Sequence, residues 1–214
     1  MHVAADGTVL QRIDDTHTPE GMVALPDGRL LLAEQGTDRV VVLHPPDTSA
    51  ILFVQLHPVP GEAGVDGLGV DLPNQKLLLP DSAQSAFAIV SLDGGQVTRL
   101  DTGLGRAVGA AVSPDGGYVV TAEATAGLLR VPQNGGSVTQ IAAIPQADDV
   151  VATARLLYVT ALNARQVLAV DPRTGGTRVL VSGITEPQGL AVLDSHRIAV
   201  SDSASGIVAV AAAC

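Results

Sequence analysis

The sequence predicts an all-β fold: one domain over residues 1–214, a small β-propeller of about five four-stranded blades. Three observations carry that expectation. A unit of about 40 residues recurs along the chain, each copy is a series of short apolar runs cut by turn residues, and no stretch of ten or more residues sustains a helical period. The copies begin TPEGMVALPDGRLLLAEQ at Thr18, VDGLGVDLPNQKLLLPDS at Val65, AVGAAVSPDGGYVVTAEA at Ala107, ADDVVATARLLYVTALNA at Ala147 and PQGLAVLDSHRIAVSDSA at Pro187.

Every copy follows the same order. A lead-in, in most copies with Gly, opens a short inner strand. A turn such as Pro26-Asp27-Gly28 or Pro114-Asp115-Gly116 follows, where Pro presets the first turn angle and Gly accepts positive φ. The second strand is the most apolar: Leu30-Leu31-Leu32, Leu77-Leu78-Leu79, Tyr118-Val119-Val120, Leu157-Tyr158-Val159, Ile198-Ala199-Val200. A third strand comes next, then a polar turn (Asp93-Gly94-Gly95, Asn134-Gly135-Gly136, Thr174-Gly175-Gly176) and a fourth. The fifth copy stops after its third strand. Asp6-Gly7 and the run Thr8–Ile13 read as the missing turn and outer strand, so the N-terminal strand is expected to join the last blade and close the ring, which removes an open sheet edge. The alternative is part of a larger propeller with one blade lost.

Composition narrows the function. The 46% of apolar residues are overwhelmingly Ala, Val, Leu and Ile, with no Trp, so branched aliphatics must fill the core between packed sheets. The formal charge is −10, and the twelve basic residues are scattered. A nucleic-acid partner needs clustered positive charge and an anionic membrane surface needs the same, so neither is expected. No apolar run approaches the length of about 18 residues that spans a membrane, and the chain is expected to be soluble and monomeric. The N-terminus carries no signal-peptide pattern, which leaves a cytoplasmic protein or a mature extracytoplasmic form. The five His lack ligand spacing and read as surface residues, and the lone Cys214 reads as an unpaired terminal thiol.

Acidic residues recur at two places in the unit. The lead-in to the inner strand carries Glu20, Asp66, Val108, Asp148 and Gln188; the position after the second strand carries Glu34, Asp81, Glu123, Ala161 and Asp202. In a propeller both places open on one face, so the acids converge on one mouth of the axial channel. Such oxygens suit a hard divalent cation, Ca²⁺ or Mg²⁺ rather than Zn²⁺, or a cationic ligand. For the second set, a structural role accepting bonds from turn amides is the competing reading.

The run Thr18-Pro19-Glu20-Gly21 through Leu25-Pro26-Asp27-Gly28-Arg29-Leu30-Leu31-Leu32-Ala33-Glu34 resembles the NHL-repeat and gluconolactonase-like (senescence marker protein-like) propellers. That resemblance implies Glu20 as a metal ligand, although Met22 stands where the family has Pro. It implies Asp66, followed by Gly67, as a ligand and candidate catalytic base; Asp148, at the equivalent lead-in of the fourth copy but followed by Asp149, is the third candidate ligand. The family's Asn-Gly lead-in is absent. The first reading is therefore a non-enzymatic binding module that holds a small molecule or a protein at its acidic mouth. The alternatives are a metal-dependent lactonase or esterase, and a scaffold or sensor domain cut from a longer chain.

Overall fold

The structure, a computed structural model, describes residues 1–4, 6–14, 17–125 and 127–213; Cys214 lies outside them. The expected propeller forms. Blade one pairs Pro19–Ala24, Leu30–Glu34, Arg39–Leu43 and Ile51–Gln55; blade two Gly69–Asp71, Lys76–Asp81, Ala86–Ser91 and Thr98–Thr102. Blade three pairs Ala107–Val112, Tyr118–Ala122, Gly127–Val131 and Thr139–Ala143; blade four Ala147–Ala152, Leu157–Ala161, Gln166–Val170 and Thr177–Ser182. Blade five has three strands, Pro187–Asp194, Arg197–Asp202 and Ile207–Ala212. All ladders are antiparallel, and the sole helical element among the described residues is a 3₁₀ turn at Gln35–Thr37. The Pro-Asp-Gly turns behave as read: Gly28 and Gly116 sit at φ 90° and 94°, a region that disfavours any residue with a Cβ.

The core lies between blades. Alternation along each strand sends one set of aliphatics to the preceding blade and the other to the next. Leu31 and Val40 of blade one meet Leu77 and Val90 of blade two. Leu78 and Phe87 meet Tyr118 and Val120, with Phe87 and Tyr118 edge to face at 5.6 Å. Val119 and Leu128 meet Val150 and Leu157, and Tyr158 and Val167 meet Ile198 and Val200. Four cores join five blades, and among the described residues no apolar cluster joins blade five to blade one.

The expected closure is corrected by the strand pairing. Val9–Gln11 does form a strand, but its partner is His2–Val3, across the Asp6-Gly7 turn, and not Ile207–Ala212 of the last blade. The physical reason is local: residues 2–3 lie one tight turn from residues 9–11, and closing so short a loop costs less entropy than pairing the two ends of the chain. The arc therefore stays open between blades five and one.

Inner strands approach one another at the lead-in glycines. The Gly21 amide donates to the Asp66 carbonyl at 3.0 Å and Gly67 to the Val108 carbonyl at 2.7 Å. A Cβ on Gly21 would fall 2.6 Å from the Gly67 Cα, and one on Gly67 would fall 2.6 Å from the Val108 oxygen. At Gly189, which faces the open side, the only near atom among the described residues is the Ser201 hydroxyl at 3.3 Å. Gly67→Ala is expected to lower unfolding free energy by about 1–3 kcal/mol, since backbone must move to admit the methyl, while Gly189→Ala changes it by less than about 0.5 kcal/mol. Urea denaturation of the two variants checks this; equal losses at both positions would contradict an open arc.

Candidate functional site: an acidic mouth around Arg106

Four of the five inner strands break register at the same place. Their pairing slips between Pro19 and Met22, Ala107 and Ala110, Ala147 and Val150, and Pro187 and Leu190. In blade two the break is wider, with Val65 bridging Asp81 apart from the strand that begins at Gly69. An irregularity of this kind re-aims side chains out of the sheet. The slipped residues are the lead-in positions identified from the repeat, so Glu20, Asp66, Val108, Asp148 and Gln188 all line one cavity of about 230 Å³ at one end of the axis. Asp149, Glu123, Gln35, Arg106 and Ser201 line it too. Beneath it the axial channel widens to about 770 Å³ between inner strands of all five blades, lined largely by small and aliphatic side chains.

Hydroxyls and main-chain groups fix the geometry. In blade three Thr121 Oγ1 accepts the Gly109 amide at 2.8 Å and donates to the Asp148 carbonyl. Thr160 repeats this one blade on: it accepts the Asp149 amide at 2.8 Å and donates to the Gln188 carbonyl at 3.0 Å. Asp149 Oδ2 accepts the Leu190 amide at 2.7 Å, tying blade four to blade five. These bonds leave the Asp148 carboxylate directed to the cavity without holding it in a turn.

One cation stands among the acids. Arg106, on the loop before the inner strand of blade three with φ 43°, reaches Asp66 Oδ2 from Nη2 at 3.2 Å and donates from Nε to Glu123. Gln35 Nε2 donates to the same Asp66 oxygen at 2.7 Å. Five carboxylates thus share the mouth with a single guanidinium. Burial pushes the Asp66 carboxyl up to about 7, helped by the charge of Glu20 and opposed by Arg106. Burial pushes Asp148 up to about 8, with Asp66 and Asp149 adding to it. Asp149 rises to about 6 through burial, held back by the amides of Leu190 and Val150. Glu20 is raised as well, by desolvation against the pull of Arg106.

The second acidic set divides. Asp81 accepts the Gln84 amide at 3.0 Å, and Asp202 accepts the amides of Thr185 and Glu186 at 3.1 and 3.0 Å, which is the structural role weighed for them. Glu34 is buried and bound by Arg39 and by the Thr37 hydroxyl. Glu123 alone turns to the mouth. Reading the repeat placed Glu20, Asp66 and Asp148 together correctly but missed Arg106 and Asp149. Arg106 lies one residue outside the aligned unit. Asp149 occupies the position that is Gly in the other four copies, a signal the alignment did contain. Among the described residues no group of three or more His, Cys, Asp and Glu is arranged to hold a metal, and no helix is long and apolar enough to cross a membrane.

The raised carboxyls tie stability to pH. An unfolded Asp ionises near 3.8, whereas the folded mouth keeps its protons to higher pH. The folded chain binds more protons between about pH 4 and 8, so these groups make stability fall as pH rises through that window. Asp148→Asn removes one such group and is expected to be more stable than the parent at pH 8 by about 1–2 kcal/mol, with little gain at pH 4.5. Urea melts at the two pH values measure it; a variant less stable at both would contradict the assignment.

No family model matches the chain, and no curated protein matches it. Solved structures do. A chain in the crystal structure of a nidogen/laminin complex superposes with TM-score 0.78 at 13% identity, over 90% of this chain and 74% of that one. A catalytically inactive virginiamycin B lyase from Staphylococcus aureus, solved with quinupristin, superposes with TM-score 0.72 at 15% identity, over 99% of this chain and 72% of that one. A streptogramin B lyase gives 0.65 at 13%, over 91% and 68%. At these identities the likeness establishes a β-propeller and leaves the finer branch, NHL or gluconolactonase-like, open.

Proposed function

We propose that the chain is a binding module whose acidic mouth receives a positively charged group, the amine or guanidinium of a small molecule or of a protein side chain. The observation that supports this best is Arg106: the carboxylates of Asp66 and Glu123 already hold one guanidinium by paired contacts, while among the described residues Glu20 and Asp148 have no basic partner at hydrogen-bond distance. A cavity of about 230 Å³ suits a cationic head group and is small beside the roughly 300–1,000 Å³ of sites for drug-sized ligands. Rigid blades carrying such a mouth are a platform for recognition, and a chain of similar fold was crystallised in a nidogen/laminin complex. Binding a cation requires ionised acids. Asp66 and Asp148, titrating near 7 and 8, are ionised at pH 9 and protonated at pH 6. Titration calorimetry with N-acetyl-arginine amide and lysine amide is expected to show binding at pH 9 that weakens tenfold or more at pH 6. An uncharged norleucine amide should not bind, and Glu20→Gln with Asp66→Asn should abolish the signal. Binding independent of pH, or equal for the uncharged amide, would contradict the reading.

A resident Ca²⁺ or Mg²⁺ held by Glu20, Asp66 and Asp148 is the competing occupant of the same oxygens. Millimolar metal would then raise the melting temperature above that in chelator, and Glu20→Gln would remove the rise.

A second reading rests on Asp66. A carboxyl pushed up to about 7 inside a cavity has the affinity expected of a general base near neutral pH. A base in that position would take a proton from water attacking a lactone carbonyl, and Asp66→Asn would lower turnover by about 10²–10⁴. Assays on aldonolactones with and without Ca²⁺ or Mg²⁺ separate the two. The binding module expects no turnover, and hydrolysis lost in Asp66→Asn would replace it with an enzyme.

A further inference from the structure

The N-terminal hairpin has the spacing of half a blade. In blades one to four the third strand is followed after a short turn by the fourth, and that by the next inner strand: Gly127–Val131, Thr139–Ala143, then Ala147 is one instance. His2–Val3 and Val9–Gln11 stand in the same relation to Pro19, so they are the third and fourth strands of a sheet that would precede blade one, with no first and second strands beside them. Where those two would lie there is an apolar cavity of about 490 Å³, bounded by the hairpin on one side and by Met22, Leu30, Leu32 and Leu43 of blade one on the other.

The other end of the arc is open in the complementary way. In blade five, Leu190, Val200 and Ala211 pack toward blade four, while Val208 and Val210, on the opposite face, are 66% and 57% exposed. On the matching face of blade one Met22 is 56% exposed. These are the faces that at every other junction bury against a neighbouring blade. Among the described residues no fourth strand pairs with the free edge of Ile207–Ala212. The bonds that pass from one inner strand to the next stop here too, since Ser201, the counterpart of Thr121 and Thr160, returns to Gly189 of its own blade.

We propose that these two faces form one docking seam for a further β-sheet of the same blade type, about two blades wide, which completes a ring of seven. The width follows from two observations. The chain superposes almost whole on the virginiamycin B lyase yet covers 72% of it, so roughly a quarter of that chain has no counterpart here. The described residues form 21 strands, and a ring of seven four-stranded blades needs seven more, a quarter of the total. A ring of six needs three, an eighth. A second copy of this chain is five blades wide and does not fit such a gap in one plane.

The test supplies the sheet from the protein's own repeat. Appending a second copy of residues 98–161 after residue 214 adds a fourth strand for blade five, one whole blade, and the first two strands for the hairpin's sheet. The extended chain is expected to melt about 10 °C or more above the parent, to lose the binding of a hydrophobic dye, and to gain hydrogen-exchange protection at His2–Val3 and Ile207–Ala212. Appending residues 139–161 alone, enough for six blades, should recover less of each. Dye binding and exchange unchanged by the longer extension would overturn the proposal. So would a parent chain that is already a dimer and becomes monomeric with Val208→Glu, because a second copy would then be the occupant.

Discussion

Backbone-to-backbone approach at the axis is the constraint on which the rest of the molecule depends. Gly21, Gly67 and Gly109 each sit where a Cβ would lie within 3 Å of the adjoining blade, so inner strands can touch through main-chain bonds. That contact sets the tilt between blades, and the tilt decides which aliphatics interdigitate. The register slip at the head of the inner strands swings the lead-in residues toward the axis. Packing follows from the close approach, and the site from the slip.

Convergence has an electrostatic cost. Carboxylates brought to one mouth lose water and repel one another, and the fold answers in three ways: Arg106 bridges two of them, main-chain amides hold Asp149, and Asp66 and Asp148 retain their protons to higher pH. Buried groups whose affinities are displaced so far are more common at functional sites than in scaffolds. In the proposed reading, the stability given up at neutral pH is recovered when a positive charge enters the mouth.

Much of this was legible in the sequence. Five copies of one unit, Pro-Asp-Gly turns and aliphatic second strands give the blades, because turn chemistry and strand alternation are local. The convergence of Glu20, Asp66 and Asp148 was legible because symmetry places equivalent positions together. Arg106 was not, since it belongs to a linker whose left-handed backbone aims it inward, and nothing local encodes that direction. The ring closure was misread for a related reason. The run Thr8–Ile13 was correctly seen to hold a strand, formed at Val9–Gln11, but whether it pairs with residues 2–3 or with residues 207–212 depends on the competition between a short loop and a long one, which a strand pattern does not record.

The central claim is that burial at the converging lead-ins, and not pairing within turns, governs the mouth carboxylates. Titration of the aspartate side-chain carboxyls by carbon-13 NMR, assigned with Asp66→Asn and Asp148→Asn, tests it most directly. Asp66 and Asp148 should show midpoints near 7 and 8, and each substitution should lower the midpoint of the other. Midpoints near 4 for both, unmoved by the substitutions, would mean that the acids do not share a desolvated site.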